Sequence, residues 1–211
     1  MANEHEGFLG AVYRAATTTD VAALYDGWAN SYDKEMAMAG YRHPAIGLSL
    51  IARHLPKGSG PILDAGAGTG LLGEGLALLG YPHVEALDIS AGMLAIAAQK
   101  KCYAAFHHAS LQERLPLADD TYAAVISIGV FTSGHVGVEG LDELLRVVRP
   151  EGIVVLTVKN TLWESGFAER IVTLTAQGVL SCLDETIPYV SMPGEAGTVP
   201  SRALVLRKGA R

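Results

Sequence analysis

Two cysteines, few basic residues and no long apolar run set the outer limits on this sequence. Cys102 and Cys182 are the only cysteines. They are too few for a disulfide scaffold, so a reducing cytoplasm is the expected compartment. Lysine and arginine number 16 against 22 acidic residues, a net charge of −6. A nucleic-acid backbone would meet no cationic face, and no long basic run occurs. No uninterrupted apolar stretch reaches bilayer length, so no membrane span is expected. The polar start from Met1 to Glu6 has no apolar segment behind it, which argues against a signal peptide. Charged residues make up 18% and hydrophobic residues 49%, a globular balance with little room for disorder. At 211 residues, one domain with a full core is the simplest organisation.

The most informative stretch is Ile62-Leu63-Asp64-Ala65-Gly66-Ala67-Gly68-Thr69-Gly70. An apolar run ends in an acid, breaks into alternating glycines and continues as an apolar, helix-compatible segment from Leu71 to Leu79. The pattern predicts a buried parallel strand, a turn without side chains in the way, and a helix N-terminus. A ligand could lie there against bare backbone, and free N–H donors at a helix start would favour an anionic group.

Strand-like and helix-like segments alternate around this stretch. Residues 1–56 read as helical, with Asp20 as a possible cap for a helix through Tyr25, Trp28, Tyr32 and Met36. Pro44 can open a second helix that stops at Pro56-Lys57-Gly58. From residue 57 to 211 the expected strands are Pro61–Asp64, Val84–Asp88, Tyr103–His107, Ala123–Ile128 and Ile153–Val158. Two late strands follow near Ser181–Val190 and Ala203–Arg207. Ser90 is placed to cap the helix through Met93 and Ile96; further helices run through Leu141 to Val148 and from Glu164 to Gln177. This predicts a doubly wound α/β fold, a mostly parallel seven-stranded sheet with an N-terminal helical cap. In such a sheet ligands sit beyond the carboxyl ends of the strands. Gly66–Gly70 and Asp88 both fall there, and a carboxylate at Asp88 could accept hydrogen bonds from both hydroxyls of a ribose.

Two frames fit the glycines. Gly68, Gly70 and Gly73 spell the dinucleotide fingerprint, a weak signal alone. In that frame Asp88 follows the last glycine by only 15 residues, and too little chain remains for a substrate domain. No tyrosine has a lysine four residues on, as a short-chain dehydrogenase needs, so an NAD(P)-dependent oxidoreductase is the weaker alternative. The second frame is Asp64-x-Gly66-x-Gly68-x-Gly70. With Leu87-Asp88-Ile89-Ser90, Leu115-Pro116-Leu117-Ala118-Asp119-Asp120 and Arg149-Pro150-Glu151-Gly152 in order, residues 61–158 resemble the class I S-adenosylmethionine-dependent methyltransferases. The segment Tyr25-Asp26-Gly27-Trp28-Ala29-Asn30-Ser31-Tyr32-Asp33 is similar to the opening of the Williams–Beuren-region methyltransferase-like group. Gly129-Val130-Phe131-Thr132-Ser133-Gly134-His135-Val136 resembles that group as well.

The resemblance implies a methyl transfer from S-adenosylmethionine, with S-adenosylhomocysteine as product and a small molecule as acceptor. A protein that binds the cofactor without catalysis is the alternative. By position, Gly66, Ala67 and Gly68 would meet the methionine portion, and Asp64 would support that loop or the amino group. Asp88 would hold the ribose hydroxyls. Ile89 and Met93 would pack on the adenine, Ser110 and Leu111 would sit at its amine, and Gly129 would lie beside the methionine portion. Tyr25 and Tyr32 would come from the lid. Ser110 stands where many relatives carry an acid, and Ala123 where many carry an aspartate. Such a reaction depends on alignment more than on acid–base chemistry; His135 is the candidate base if the acceptor must lose a proton. His107-His108 lacks further ligands at a zinc spacing, and Asp119-Asp120 reads as a turn. Trp163 and Tyr189 fit either a substrate pocket or ordinary packing.

Overall fold

The glycine-broken apolar run does form the centre of a sheet. In the computed structural model, which describes residues 10–12, 15, 17–132 and 136–210, β1 spans Ile62–Ala65 and all four of its residues are buried. Successive side chains of a strand point to opposite faces. Ile62 accordingly packs in one hydrophobic cluster and Leu63 in another, on the other side of the sheet.

Among the described residues, two long helices precede β1. Helix α1 (Thr18–Ala39) starts at Thr17, whose hydroxyl accepts from the Asp20 amide. The cap is therefore Thr17, not Asp20; Asp20 sits in the first turn and accepts in return from the Thr17 hydroxyl at 2.7 Å. The Thr17 hydroxyl thereby satisfies one of the amides that the first turn leaves open. Helix α2 (His43–His54) opens at Pro44, as expected. After β1 come α3 (Leu71–Leu78), β2 (Val84–Asp88), α4 (Ala91–Gln99), β3 (Ala105–His108), β4 (Tyr122–Phe131), α5 (Gly140–Val147) and β5 (Val148–Lys159). A short helical stretch, Asn160–Leu162, and a π-helical turn, Trp163–Phe167, lead into α6 (Ala168–Ala176). Strands β6 (Leu180–Glu185) and β7 (Ser201–Lys208) end the fold.

The seven strands lie in the order β3-β2-β1-β4-β5-β7-β6. Pairings from β3 to β5 are parallel, while β7 runs antiparallel to both β5 and β6. The order reverses between β1 and β4, so their carboxyl ends flank the switch point where this architecture holds ligands. On one face α5 and α6 cover the sheet through Leu141, Leu144, Ile171 and Leu174. On the other, α2 and α3 do so through Leu50, Ile51, Leu72 and Leu76. Helix α1 lies over α4, burying Trp28, Met36 and Met93 together. Each such buried side chain stabilises the fold by roughly 1.5–3 kcal/mol.

Several element ends differ from expectation for local reasons. The Arg149–Gly152 turn is a loop within β5: Tyr122 pairs with Val148 but Ala124 already pairs with Ile153, and Glu151 takes a positive φ. The last helix begins late because Gly166 breaks the backbone at φ +123. β6 stops at Glu185, and beyond it Tyr189 returns to the sheet as an isolated bridge to Ser201.

Candidate functional site

The loop after β1 crosses the end of β2. Gly66, Gly68 and Gly70 have φ of +86, +54 and +87, a region other residues enter only with strain. The amides of Gly66 and Ala67 both donate to the Leu87 carbonyl, at 2.7 and 3.0 Å. The Gly68 amide donates to Asp88 Oδ2 at 2.8 Å, and the Gly70 amide to the Ala67 carbonyl at 2.9 Å. These donors are engaged inside the protein, so the loop is not the anion cradle that a helix start preceded by glycines suggests. A pyrophosphate would find those four amides occupied.

A cavity of about 780 Å³ opens beside this loop, at the switch point. Of the twelve residues the sequence singles out for a cofactor, ten line it. Gly66 and Gly68 form its floor with Gly129. Asp88, Ile89 and Met93 come from the end of β2 and the start of α4. Ser110 and Leu111 follow β3, and Tyr25 and Tyr32 hang from α1. Asp64 and Ala67 lie behind the loop. Asp64 is 1% exposed and accepts from the Tyr103 hydroxyl at 2.6 Å. Burial pushes its carboxyl up to about 7, against the pull of the tyrosine bond. Ala67 packs on Ala86 and Leu94. His135, the candidate base, lies outside the described residues, as do Ser133, Gly134 and the segment Met1–Glu6.

Asp88 faces the cavity from a fixed position. Its second oxygen accepts from the Ser90 amide at 2.9 Å. Burial raises its pKa, and the amides of Ser90, Gly68 and Ile89 counter that rise. A carboxylate has about four acceptor sites, so capacity remains for a ligand. Ser110 accepts from the Gln112 amide at 3.2 Å in a local turn. The Gly129 amide donates to Thr157 Oγ1 at 2.8 Å, from a backbone with φ +78.

Two aspartates on α1 hold the roof down. Asp26 accepts from the Ser90 hydroxyl at 2.6 Å and the Gly92 amide at 2.7 Å, and the Ser90 bond, then the Gly92 amide, lower its pKa. Asp33 accepts from Thr69 in the glycine loop and from Lys100 at 2.7 Å. Neither role is visible from spacing along the chain. The aromatic stripe divides: Trp28 is core, 1% exposed, while its neighbours Tyr25 and Tyr32, 6.0 and 4.8 Å away between centroids, face the cavity.

A second cavity of about 470 Å³ continues from the first. Tyr25, Tyr32, Tyr41 and Gly129 line both. Sequence reasoning points to the N-terminal helices and the ends of strands four and five but does not assemble this space, because its walls come from α1, α2, the ends of β4 and β5 and the β6–β7 connection. His43 there is 5% exposed, and its Nδ1 lies 2.7 Å from the Tyr189 hydroxyl. Burial, and then nearby Lys159, push the imidazole down to about 3; at neutral pH it is uncharged and a weak base. Tyr189 thus touches the cavity through His43. Trp163 lines neither cavity; the Arg202 guanidinium lies 4.2 Å from its ring centroid.

The remaining candidates are structural. His107 bonds Glu85 and His108 bonds the Ile89 carbonyl, both at 2.8 Å. Asp120 has a positive φ, and Asp119 and Asp120 bind Arg146 and Lys208. Among the described residues no group of His, Cys, Asp and Glu forms a metal-binding cluster. None of their helices is long and apolar enough to cross a membrane.

Comparison with known proteins agrees with this geometry. Residues 62–152 match the methyltransferase domain family, and the sheet order and the relatives below are similar to those of the class I S-adenosylmethionine-dependent methyltransferases, whose cofactor is S-adenosylmethionine. The chain is 35% identical to human methyltransferase-like protein 27 over 65% of its own length and 57% of that protein's. It is 34% identical to demethylmenaquinone methyltransferase of Clavibacter sepedonicus, over 67% of itself and 58% of that enzyme. It thus spans under three fifths of the length of these curated relatives. Among solved structures, the [4+2]-cyclase SpnF superposes with a TM-score of 0.68 at 17% identity, covering 93% of this chain and 98% of the other. A TehB-like methyltransferase from Corynebacterium glutamicum gives 0.62 at 19%, covering 89% and 98%. At such identities these two speak for the fold alone.

Proposed function

We propose that the protein transfers a methyl group from S-adenosylmethionine to a small organic acceptor by direct displacement. The observation that carries this is the pair of cavities meeting at Gly129 under one roof, one ending at the Asp88 carboxylate and the other at a polar pocket. The donor set of the first suits the cofactor. Asp88 would accept from the ribose hydroxyls, and Ile89, Met93 and Leu111 offer an apolar seat for the adenine. The side-chain-free floor at Gly66, Gly68 and Gly129 admits the methionine portion. Asp64, behind the loop, would act by holding its shape. When bound, the cofactor supplies a methyl group already activated for displacement. The chain's own contribution is alignment and exclusion of water: Tyr25, Tyr32 and Tyr41 close over the junction, and such positioning can carry much of a rate. A second cavity walled closely by Trp28, Tyr32, Tyr41 and His43 favours a small acceptor, and the net charge of −6 disfavours a nucleic acid. Cys102 and Cys182, both free, suit a reducing cytoplasm.

Calorimetric titration with S-adenosylmethionine and S-adenosylhomocysteine tests the cofactor site. Micromolar binding is expected. A charged acceptor contributes about 1.5–3 kcal/mol per bond, so Asp88→Ala should weaken affinity by more than about tenfold. Unchanged affinity would overturn the ribose role of Asp88, and no binding by the parent protein would overturn the whole proposal.

A further inference from the structure

We infer that His43 presents a fixed N–H at the junction of the two cavities and there holds a carbonyl oxygen of the methyl acceptor, with Tyr189 deciding which ring nitrogen carries the hydrogen. This deepens the methyl-transfer proposal and rests on it for naming the occupant an acceptor.

The first observation is position. His43, the first residue of α2, is 5% exposed and lines the second cavity. A carbon added at Gly129, which lines both cavities, would lie 3.7 Å from His43 Cδ2. Cδ2 is bonded to Nε2, so this edge of the ring is the one turned toward the junction. Two tyrosines fix the plane of the ring: Tyr41 and Tyr189 stand edge-on to it, at centroid distances of 5.3 and 5.5 Å.

The second is the direction of one hydrogen bond. Tyr189 is held by two backbone bonds to Ser201, at 2.8 and 2.9 Å, and its hydroxyl lies 2.7 Å from His43 Nδ1. Burial raises the pKa of that hydroxyl, so it keeps its hydrogen, and among the described residues Nδ1 is the one acceptor it meets. A phenol is a better donor than an imidazole N–H, and the imidazole lone pair is the better acceptor. Tyr189 therefore donates to Nδ1, which leaves the hydrogen of the neutral ring on Nε2. The reverse arrangement would strand two groups, the tyrosine hydrogen and the Nε2 lone pair, instead of one.

The third is what that N–H lacks. Nε2 has no hydrogen-bond partner among the described residues, and buried donors are rarely left without one. Ser201, 1% exposed in the same wall, leaves its hydroxyl likewise unpartnered. Burial, and then Lys159, keep the imidazole uncharged, so the donor persists through neutral pH. A neutral imidazole can polarise a carbonyl in this way without giving up its proton. A carbonyl oxygen has two lone pairs and no hydrogen of its own, which matches a wall of donors.

The test uses the whole protein saturated with S-adenosylhomocysteine, with acetophenone as the probe and α-methylstyrene, which carries a methylene group in place of the carbonyl oxygen, as its isostere. In the unsubstituted protein, long-range proton–nitrogen spectra should show the hydrogen of His43 on Nε2 and a bare Nδ1. Acetophenone should shift the Nε2–H resonance, and α-methylstyrene should not. A neutral hydrogen bond contributes about 0.5–1.5 kcal/mol, so His43→Leu should lower the acetophenone-to-α-methylstyrene affinity ratio by about two- to tenfold. His43→Gln, which keeps an N–H at that reach, should restore part of it. Tyr189→Phe keeps the ring without the hydroxyl and should spread the hydrogen over both nitrogens, with S-adenosylhomocysteine affinity within about twofold. Hydrogen on Nδ1 in the parent, an Nε2–H resonance that acetophenone leaves unmoved, or an unchanged affinity ratio in His43→Leu would overturn the inference. Failure of S-adenosylhomocysteine to bind would instead overturn the methyl-transfer proposal.

Discussion

Gly66 and Gly68 look equivalent in the fingerprint, yet the structure sets them apart. An alanine at Gly66 would hold φ at +86 and drive its methyl group into Val130 Cγ2. Forcing an L-residue into the left-handed region costs about 1–2 kcal/mol, and overpacking adds about 1–3 kcal/mol. Less the about 0.4–1 kcal/mol that alanine returns by stiffening the unfolded chain, Gly66→Ala should lose about 1–4.5 kcal/mol, a large part of a typical stability of about 5–15 kcal/mol. At Gly68 the φ is +54 and nothing lies within 4 Å of the added carbon. With the same offset from the unfolded chain and no clash, the loss there is about 1 kcal/mol. At this chain length 1 kcal/mol moves Tm by about 2–4 °C. Gly68→Ala should melt within a few degrees of the parent, and Gly66→Ala at least twice as far below it. Cofactor binding reverses the emphasis: the Gly68→Ala methyl group occupies space on the cavity floor, so S-adenosylhomocysteine affinity should fall about tenfold or more in a protein that is still folded. Denaturation curves and calorimetric titration of the two variants are sufficient. Equal stabilities would refute the packing argument at Val130, and normal affinity of Gly68→Ala would refute the approach of the cofactor to bare backbone.

Two further outcomes follow. His43 has its pKa lowered from 6.5 to about 3, so below pH 6.5 the unfolded chain binds a proton that the folded chain does not, and stability is lost as pH falls. At pH 5 the deficit is about 2 kcal/mol relative to neutral pH. His43→Gln should remove it in urea denaturation at the two pH values. Asp64, raised to about 7, acts in the opposite sense, gaining stability on acidification in both proteins, and so cancels from the difference; identical slopes for parent and variant would refute the burial of a neutral His43. Asp26→Ala removes the acceptor for the Ser90 hydroxyl and Gly92 amide at the start of α4. A loss of about 1 kcal/mol, the size of a capping interaction, should appear together with faster amide hydrogen exchange along α1, and unchanged protection there would show that the roof is held by its apolar contacts alone.

The sheet and the first cavity were legible because their signals are local. Positive φ demands glycine, a buried parallel strand demands an apolar run, and Ser90 caps α4 as its position suggested, accepting from the Met93 amide at 3.0 Å. Gly73 explains the competing dinucleotide frame. A side chain there would collide with the Tyr103 ring, so this third glycine makes room for the residue that bonds Asp64. The second cavity was not legible for the converse reason. Tyr41, His43, Thr132, Lys159 and Ser201 are each unremarkable in their own segments and meet only when β7 turns back antiparallel along β5. The same holds for Asp26 and Asp33, whose partners lie far along the chain. Asp20 missed as a cap by three positions, since Asp and Thr are both good N-cap residues and sequence alone does not rank neighbouring candidates.

The division of the two cavities among chain segments has a consequence for how such a protein can change. The first is built largely from the repeating strand–turn–helix units between β1 and β4, where nearly every position is constrained by the sheet. Much of the second is walled by α1, α2 and the connection before β7, segments that hang from the sheet at its margins. Exchanging α2 and the connection before β7 would reshape the second cavity while the ends of β1, β2 and β4 that floor the first stayed as they are. Novelty in this architecture has a natural place to accumulate, in the segments that wall the second cavity alone.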